Sequence, residues 1–309
     1  MSSPAFSVVM AAHDNAATIG EAIESVRGQT RTDWELIVVD DCSHDETAAV
    51  AEAFSDPRIQ VVRQPKNSGP GATRNRGISL AQAPLVCPLD SDDLWLPEYL
   101  ETMAHTLDSH PKVAVACSDA WAFDEGTGRV RKRSTVSMQH PPEPLPDDPH
   151  TFLVELLRRN FVYYSVAARR ESLLAVGAYD ERLWVGEDWE LWLRLAAAGF
   201  RFTFVPRLLG VHRKHAGSLT STSERLRAGR REVYRVVSED WDTTPEIRDL
   251  ARSMSRSREL RGRRRAAAAA LFAPLAALRR KRVNSMLWHH EPPRDVADLL
   301  LTISSSRQA

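Results

Sequence analysis

The sequence predicts an α/β fold: a mostly parallel central sheet flanked by helices, with a helical C-terminal extension. Three observations carry this reading. Short apolar runs alternate with amphipathic stretches from Phe6 to Ser118, the rhythm of β-α-β units. Runs such as Leu85–Leu89 are apolar throughout, as in a strand covered on both faces. Polar clusters follow several runs directly, and parallel sheets collect ligands at the carboxyl ends of their strands.

The elements follow in order. Phe6–Met10 reads as a strand, and Ala17–Arg27 as a helix with Ile19, Ile23 and Val26 at helical spacing. Trp34–Val39 is a second strand ending on Asp40-Asp41. Capping-type residues Ser43 and Asp45 introduce a helix from about Thr47. Ile59–Arg63 is a third strand. The loop Lys66-Asn67-Ser68-Gly69-Pro70-Gly71 opens a helix through Arg74 to Ala81. Leu85–Leu89 and Val113–Ser118 complete a sheet of about five strands, with a helix beginning near Pro97 between them. From Asp124 to His150 the chain is irregular and proline-rich, read as a mobile loop or a cover between two halves. A helix near Phe152–Arg158, a strand near Tyr163–Ala168 and a helix over Asp188–Ala198 follow; beyond Ser223 the pattern is helical and basic, without strand signals.

Composition removes several function classes. The 309 residues carry 41 basic and 41 acidic side chains, so no global field argues for nucleic acid as a partner. Three cysteines, Cys42, Cys87 and Cys117, show no CxxC spacing, which implies neither a disulfide framework nor a zinc site and fits a reducing compartment. No basic leader precedes the first strand, and the most apolar window, Ala266–Leu278, is too short for a bilayer and contains Pro274. A cytoplasmic protein is expected. The basic–apolar–basic run from Arg256 to Arg282 has two readings: contact with the inner face of an anionic membrane, or packing against protein, including a second copy of the chain.

The chemistry concentrates in four places. Asp90-Ser91-Asp92-Asp93 ends an apolar strand on three acids, whose repulsion a divalent cation would offset. Hard oxygen donors without Cys or His suit Mg²⁺ or Mn²⁺, which commonly share their coordination with substrate phosphates. The alternative is a solvated acidic loop whose acids cap the following helix. The glycine loop matches neither GxGxxG nor a P-loop ending, which disfavours a dinucleotide dehydrogenase or P-loop NTPase. Arg74, Asn75 and Arg76 on its helix could hold a base or phosphate, or line an exposed face. Glu187 and Asp188 stand at a helix start, suited either to capping or to presenting a general base. His212 and His215 are read either as surface residues or as ligands of a metal or phosphate.

Taken together, Ser7–His13, Trp34–Ser43, Gly71–Gly77, Leu89–Asp93 and Gly186–Arg194 resemble the GT-A family 2 glycosyltransferases, in the family's order over roughly residues 5–220. The resemblance implies a GT-A (Rossmann-like) catalytic domain over 1–222, with a nucleotide-sugar half (1–123) and an acceptor-side half (124–222), then a basic helical extension over 223–309. It implies an inverting, metal-dependent transfer of a sugar from a nucleotide sugar, with UDP as the expected nucleotide, to a glycan, lipid-linked or small-molecule acceptor in polysaccharide, cell-envelope or glycoconjugate synthesis. In the implied site, Ala12, Asp14, Asp41, Arg74 and Asn75 lie around the nucleotide, with Asp41 on the base. Asp90, Ser91 and Asp92 form the DXD motif, with Asp92 the direct ligand of Mn²⁺ or Mg²⁺; Asp93 has a local structural role. Asp188 is the catalytic base. His215, as a further metal-side ligand, and Ser218 match a late loop near the diphosphate. One departure stands out: the family commonly carries Pro-Ala-Tyr-Asn after the first strand, and here the residues are Ala11-Ala12-His13-Asp14. Nucleotidyl transfer and non-catalytic binding of a nucleotide sugar or carbohydrate remain the alternatives.

Overall fold

A computed structural model describes residues 3–131, 142, 144–162, 165–215, 218 and 222–256. Four parallel strands form one half of the sheet: β1 (Phe6–Ala12), β2 (Trp34–Asp40), β3 (Ile59–Arg63) and β4 (Leu85–Asp90). The other half comprises β5 (Leu94–Trp95), β6 (Val113–Asp124), β7 (Arg129–Arg131), β8 (Val166–Arg169) and β9 (Arg201–Lys214). The order is β3-β2-β1-β4-β8-β6-β9-β5, with β7 paired to β6. The extended pairings are parallel, and the antiparallel ones span only two or three residues each.

The apolar runs form strands because both of their faces are covered. Val9, Ile37, Val39 and Val86 point into one core and Val8, Met10, Leu36, Val38, Cys87 and Leu89 into the other, the period-two alternation of a pleated strand. The second core is closed by α1 (Ile19–Arg27) and α4 (Tyr99–Ser109). The first is closed by α3 (Pro70–Leu80), α5 (Pro149–Arg158) and α7 (Glu187–Ala197). Two short helices, α2 (Thr47–Glu52) and α6 (Arg170–Ala175), complete the crossovers. Helix α5 starts where its sequence dictates: the Asp148 carboxylate accepts from the Thr151 N–H (2.8 Å) and Pro149 occupies the first turn.

The sheet is larger than the five strands expected. Strand β9 was not anticipated because its alternation is interrupted by Pro206 and Arg207, and β5 because two residues carry no periodicity. Within the stretch expected to be irregular, β7 returns as a hairpin on Ala122–Asp124. The strand expected near Tyr163 begins at Val166; residues 163 and 164 lie outside the described residues.

Among the described residues past Thr222 the chain runs through α8 (Ser223–Arg235), a π-helical turn (Val236–Asp240) and a helix over 245–256. Val233, Tyr234, Val237, Ile247 and Ala251 share one core with Trp189 and Trp192 of α7. Gly229 makes this contact close. A Cβ there would lie 2.6 Å from the Val185 carbonyl oxygen and 2.5 Å from its Cγ1. Gly229→Ala, which in an exposed helix interior would stabilise by up to about 1 kcal/mol, should here destabilise by roughly 1–3 kcal/mol because backbone must move. Thermal melting of the variant checks the sign. The apolar window Ala266–Leu278 and the arginines around it lie outside the described residues. No helix among the described residues is long and apolar enough to cross a membrane.

Candidate active site

The strand register brings the predicted acids together. Ala12 at the end of β1 sits opposite Asp40, and Ala11 opposite Asp90, so three strand ends open at one level. There a cleft of about 1090 Å³ is lined by Ala12, Asp14, Asp41, Arg74, Asp90, Ser91, Asp92, Asp188, His215 and Ser218 among others. Asn75 is the one predicted site residue outside this lining. Its Nδ2 donates to the Tyr179 carbonyl (2.9 Å) and to Glu181 Oε1 (3.0 Å), and its Oδ1 accepts from the Tyr179 N–H (2.9 Å). It pins the segment before α7 onto α3.

Asp41, buried at the end of β2, organises the glycine loop. Its Oδ1 accepts from Ser68 N–H and Gln64 Nε2 (both 2.8 Å), and its Oδ2 from Gly69 N–H (2.9 Å). His13 stands beside it, with Nδ1 2.9 Å from the Asp41 carbonyl oxygen and Nε2 3.0 Å from Asn67 Nδ2. That arrangement suits a proton on Nδ1. Asp14, at φ +53°, lies between His13 and His44, each ring nitrogen 3.4 Å from its Oδ2. The His44 backbone N–H holds the Asp14 carboxyl below its ordinary pKa.

The acids after β4 divide their partners. Asp93 is buried; its Oδ1 accepts from the Arg213 N–H (2.9 Å), and the His212 ring lies 3.1 Å away. Burial pushes its pKa up to about 6, against the pull of His212. Burial also acts to raise Asp92, but the hydrogen bond from His215 (2.8 Å) and the histidine charges outweigh it and hold Asp92 below its ordinary value. Ser91 Oγ donates to Asn15 Oδ1 (2.9 Å), fastening this turn to the loop after β1. Ser218 stands near His215, its N–H 3.4 Å from the His215 carbonyl oxygen. Oxygens of Asp90, Asp92 and Asp93 lie within 4.8 Å of one another. This hard-oxygen set fits Mg²⁺ or Mn²⁺, and with Asp93 engaged by β9, Asp90 and Asp92 are the residues that would hold the ion.

Arg74 joins this cluster to the helix that carries Asp188. Its Nη2 donates to Asp90 Oδ1 (2.6 Å) and its Nη1 to Glu187 Oε1 (2.7 Å), while its side chain is only 11% exposed. The exposed-face reading of Arg74 is thereby corrected: α3 turns it inward onto two acids. Asp188 follows Glu187 in the first turn of α7. Burial, reinforced by the neighbouring Glu187 charge, raises its pKa to about 7. A carboxyl near neutrality at a cleft wall is suited to accept a proton.

Sequence reasoning missed three contributors. Asn15 had no periodic or charge signal. Trp184 was visible only as an aromatic four residues before Asp188. Arg213, whose buried side chain pairs with Glu21 behind the acids, lay on the unanticipated strand β9.

This architecture belongs to a recognisable class, the GT-A fold of glycosyltransferases. The model for glycosyl transferase family 2 matches residues 7–175, and the chain belongs to that family. It is 32% identical over 219 residues to the succinoglycan biosynthesis protein ExoO of Rhizobium meliloti, covering 70% of this chain but 63% of that one, so the chain spans less than two thirds of this relative. Its fold is similar to that of S. aureus TarS 1-349 in complex with UDP-GlcNAc, with a TM-score of 0.62, 20% identity, and 81% and 70% of the two chains covered. It is also similar to mannosyltransferase PcManGT from Pyrobaculum calidifontis in complex with GDP-Man and Mn²⁺, with a TM-score of 0.63, 17% identity, and 99% and 86% covered.

Proposed function

We propose that this protein is an inverting, metal-dependent glycosyltransferase that moves a sugar from a nucleoside-diphosphate sugar, UDP-linked, to an acceptor hydroxyl in polysaccharide synthesis. The observation that carries the reading is the Asp90–Arg74–Glu187 chain, which links the acid cluster to the helix turn of Asp188 along the lining of one cleft. Membership of the family and the biosynthetic relative support the reaction class and the polysaccharide setting. The nucleotide sugars bound by TarS and PcManGT support the donor class.

In this reading the glycine loop, fastened by Asp41, holds the nucleoside beside His13 and Asp14. When bound at Asp92 and Asp90, Mn²⁺ or Mg²⁺ would neutralise charge developing on the diphosphate. Asp188 accepts the proton of the acceptor hydroxyl. The hydroxyl oxygen bonds to the anomeric carbon as the bond to the diphosphate oxygen breaks, giving the glycoside and the nucleoside diphosphate. One displacement from the opposite face inverts the anomeric centre, and no carboxylate nucleophile is required. His215 keeps Asp92 ionised. Arg74 keeps Asp90 and Glu187 compensated while Asp188 cycles its proton.

A thermal-shift screen of UDP, GDP and dTDP with their sugars, with and without Mn²⁺, tests the donor. A ligand at about 100 times its Kd should stabilise by about 2.7 kcal/mol. UDP species are expected to stabilise most, and only with the metal. Equal shifts with and without Mn²⁺ would end the metal assignment, and a stronger response to GDP or dTDP would end the UDP one.

A further inference from the structure

Trp184 is 50% exposed, an uncommon state for so large an apolar side chain, and it lines the cleft on the loop entering α7. Its seating is specific. A Cβ built on Gly69 would lie 3.1 Å from Trp184 Cε2, 3.3 Å from Cδ2 and 3.4 Å from Cζ2. Cε2 is a ring-fusion carbon without hydrogen, so its close approach comes through the ring face. One indole face therefore rests on the glycine loop, where Gly69, at φ +87° and without a side chain, leaves room. The other face is left to the cleft. Both supports are firm: Asp41 holds the Gly69 N–H, and Gly229 of α8 packs against Val185.

A second observation points the same way. Asn160, 9% exposed, lines the cleft with an Oδ1 that has no hydrogen-bond partner among the described residues. A buried acceptor without a partner is costly, and a donor from a ligand would offset that cost.

We propose that Trp184 is the stacking platform for the acceptor, and that the acceptor is a hexopyranose whose apolar face lies on the indole while a hydroxyl donates to Asn160 Oδ1. This rests on the glycosyltransferase reading above. A pyranose presents C–H bonds on its faces and hydroxyls around its rim. It therefore suits an open aromatic face with a few polar groups nearby, and its apolar contact scales with the indole area covered. Trp184 and Asp188, the proposed base, line the same cleft.

The test uses the full chain with Mn²⁺ and UDP, titrated with methyl β-D-glucopyranoside and methyl β-D-galactopyranoside and followed by saturation-transfer NMR. Saturation should be strongest at the axial ring protons of one sugar face. Trp184→Phe should keep the affinity within about threefold, whereas Trp184→Ala should weaken it about tenfold or more. Asn160→Ala should weaken it about fivefold. UDP and GDP affinities, measured by calorimetry, should match the wild type in every variant. Unchanged glycoside binding in Trp184→Ala, or no glycoside binding by a wild type that still binds UDP or GDP, overturns the inference alone. If Trp184→Ala instead weakens UDP-glucose but not UDP, the platform serves the donor sugar and the acceptor assignment falls. A wild type that binds neither nucleotide overturns the glycosyltransferase reading and this inference with it.

Discussion

Asp188→Asn is expected to lower the rate of sugar transfer by about 10²–10⁴-fold and, in the unliganded protein above pH 7, to raise stability. The two effects share one cause. Burial and the Glu187 charge lift the Asp188 pKa from 3.8 to about 7, so the folded state holds this proton more tightly than the unfolded chain does. Its contribution to stability is complete below about pH 4 and is lost as pH rises through 7. The neutral amide avoids that loss, and because the carboxyl still meets water in the cleft the gain should be on the order of 1–2 kcal/mol. Catalysis runs the other way, since the base must be ionised: transfer should decline as pH falls through about 7. Rate–pH profiles and urea unfolding at pH 5 and pH 8 check both. An Asn variant that transfers sugar at the wild-type rate would end the base assignment.

Arg74→Met should be the most destabilising single change at the site, by about 3–5 kcal/mol, read as a fall of roughly 10 °C in Tm. The side chain is 11% exposed and supplies one positive charge to Asp90 (2.6 Å) and Glu187 (2.7 Å). Removing it leaves Glu187 buried without compensation. Burial already pushes the Glu187 pKa up, and without the guanidinium only protonation relieves the charge. The double variant Arg74→Met/Glu187→Gln should therefore recover part of the loss, a non-additivity expected of side chains in direct contact. Lys at 74 should recover little, because a point charge cannot reach both acids with the geometry of a planar fork. Melting curves of the wild type, Arg74→Met, Glu187→Gln, the double variant and Arg74→Lys decide this, and additive losses would mean that the bridge is incidental.

Much of the N-terminal part of the sheet was legible because its signals are local. Five of the strands and their helices follow from runs of apolar residues, and Ile59–Arg63 occupies the predicted span. The acids at the strand ends could be placed at one level because parallel register follows from the β-α-β rhythm. Strand β9 was not legible, although it does the most to shape the acid cluster. Its Arg213 N–H and His212 engage Asp93, and His215 just beyond it engages Asp92, each across about 120 residues of chain. Arg74 and Asn75 show the same limit at shorter range. Adjacent on one helix and equally polar, they turn to different neighbours: Arg74 to two acids in the cleft, Asn75 to the backbone of Tyr179.

By itself the sequence determined that an acid cluster ends the fourth strand, that a glycine-bearing loop opens the third helix, and that a carboxylate at a helix start lies far along the chain. Those properties reside in single motifs, where spacing and residue type suffice. The tertiary structure alone decided how the motifs act on one another: that Arg74 ties the acid cluster to the helix of Asp188, that Asp93 is engaged by β9, and that Trp184 lies against Gly69. Each of these is a contact between segments 113 to 120 residues apart, or depends on which way a side chain turns once both faces of the sheet are covered. Periodicity cannot encode that, because pairing across the fold is set by packing and charge compensation that exist only after the chain has closed.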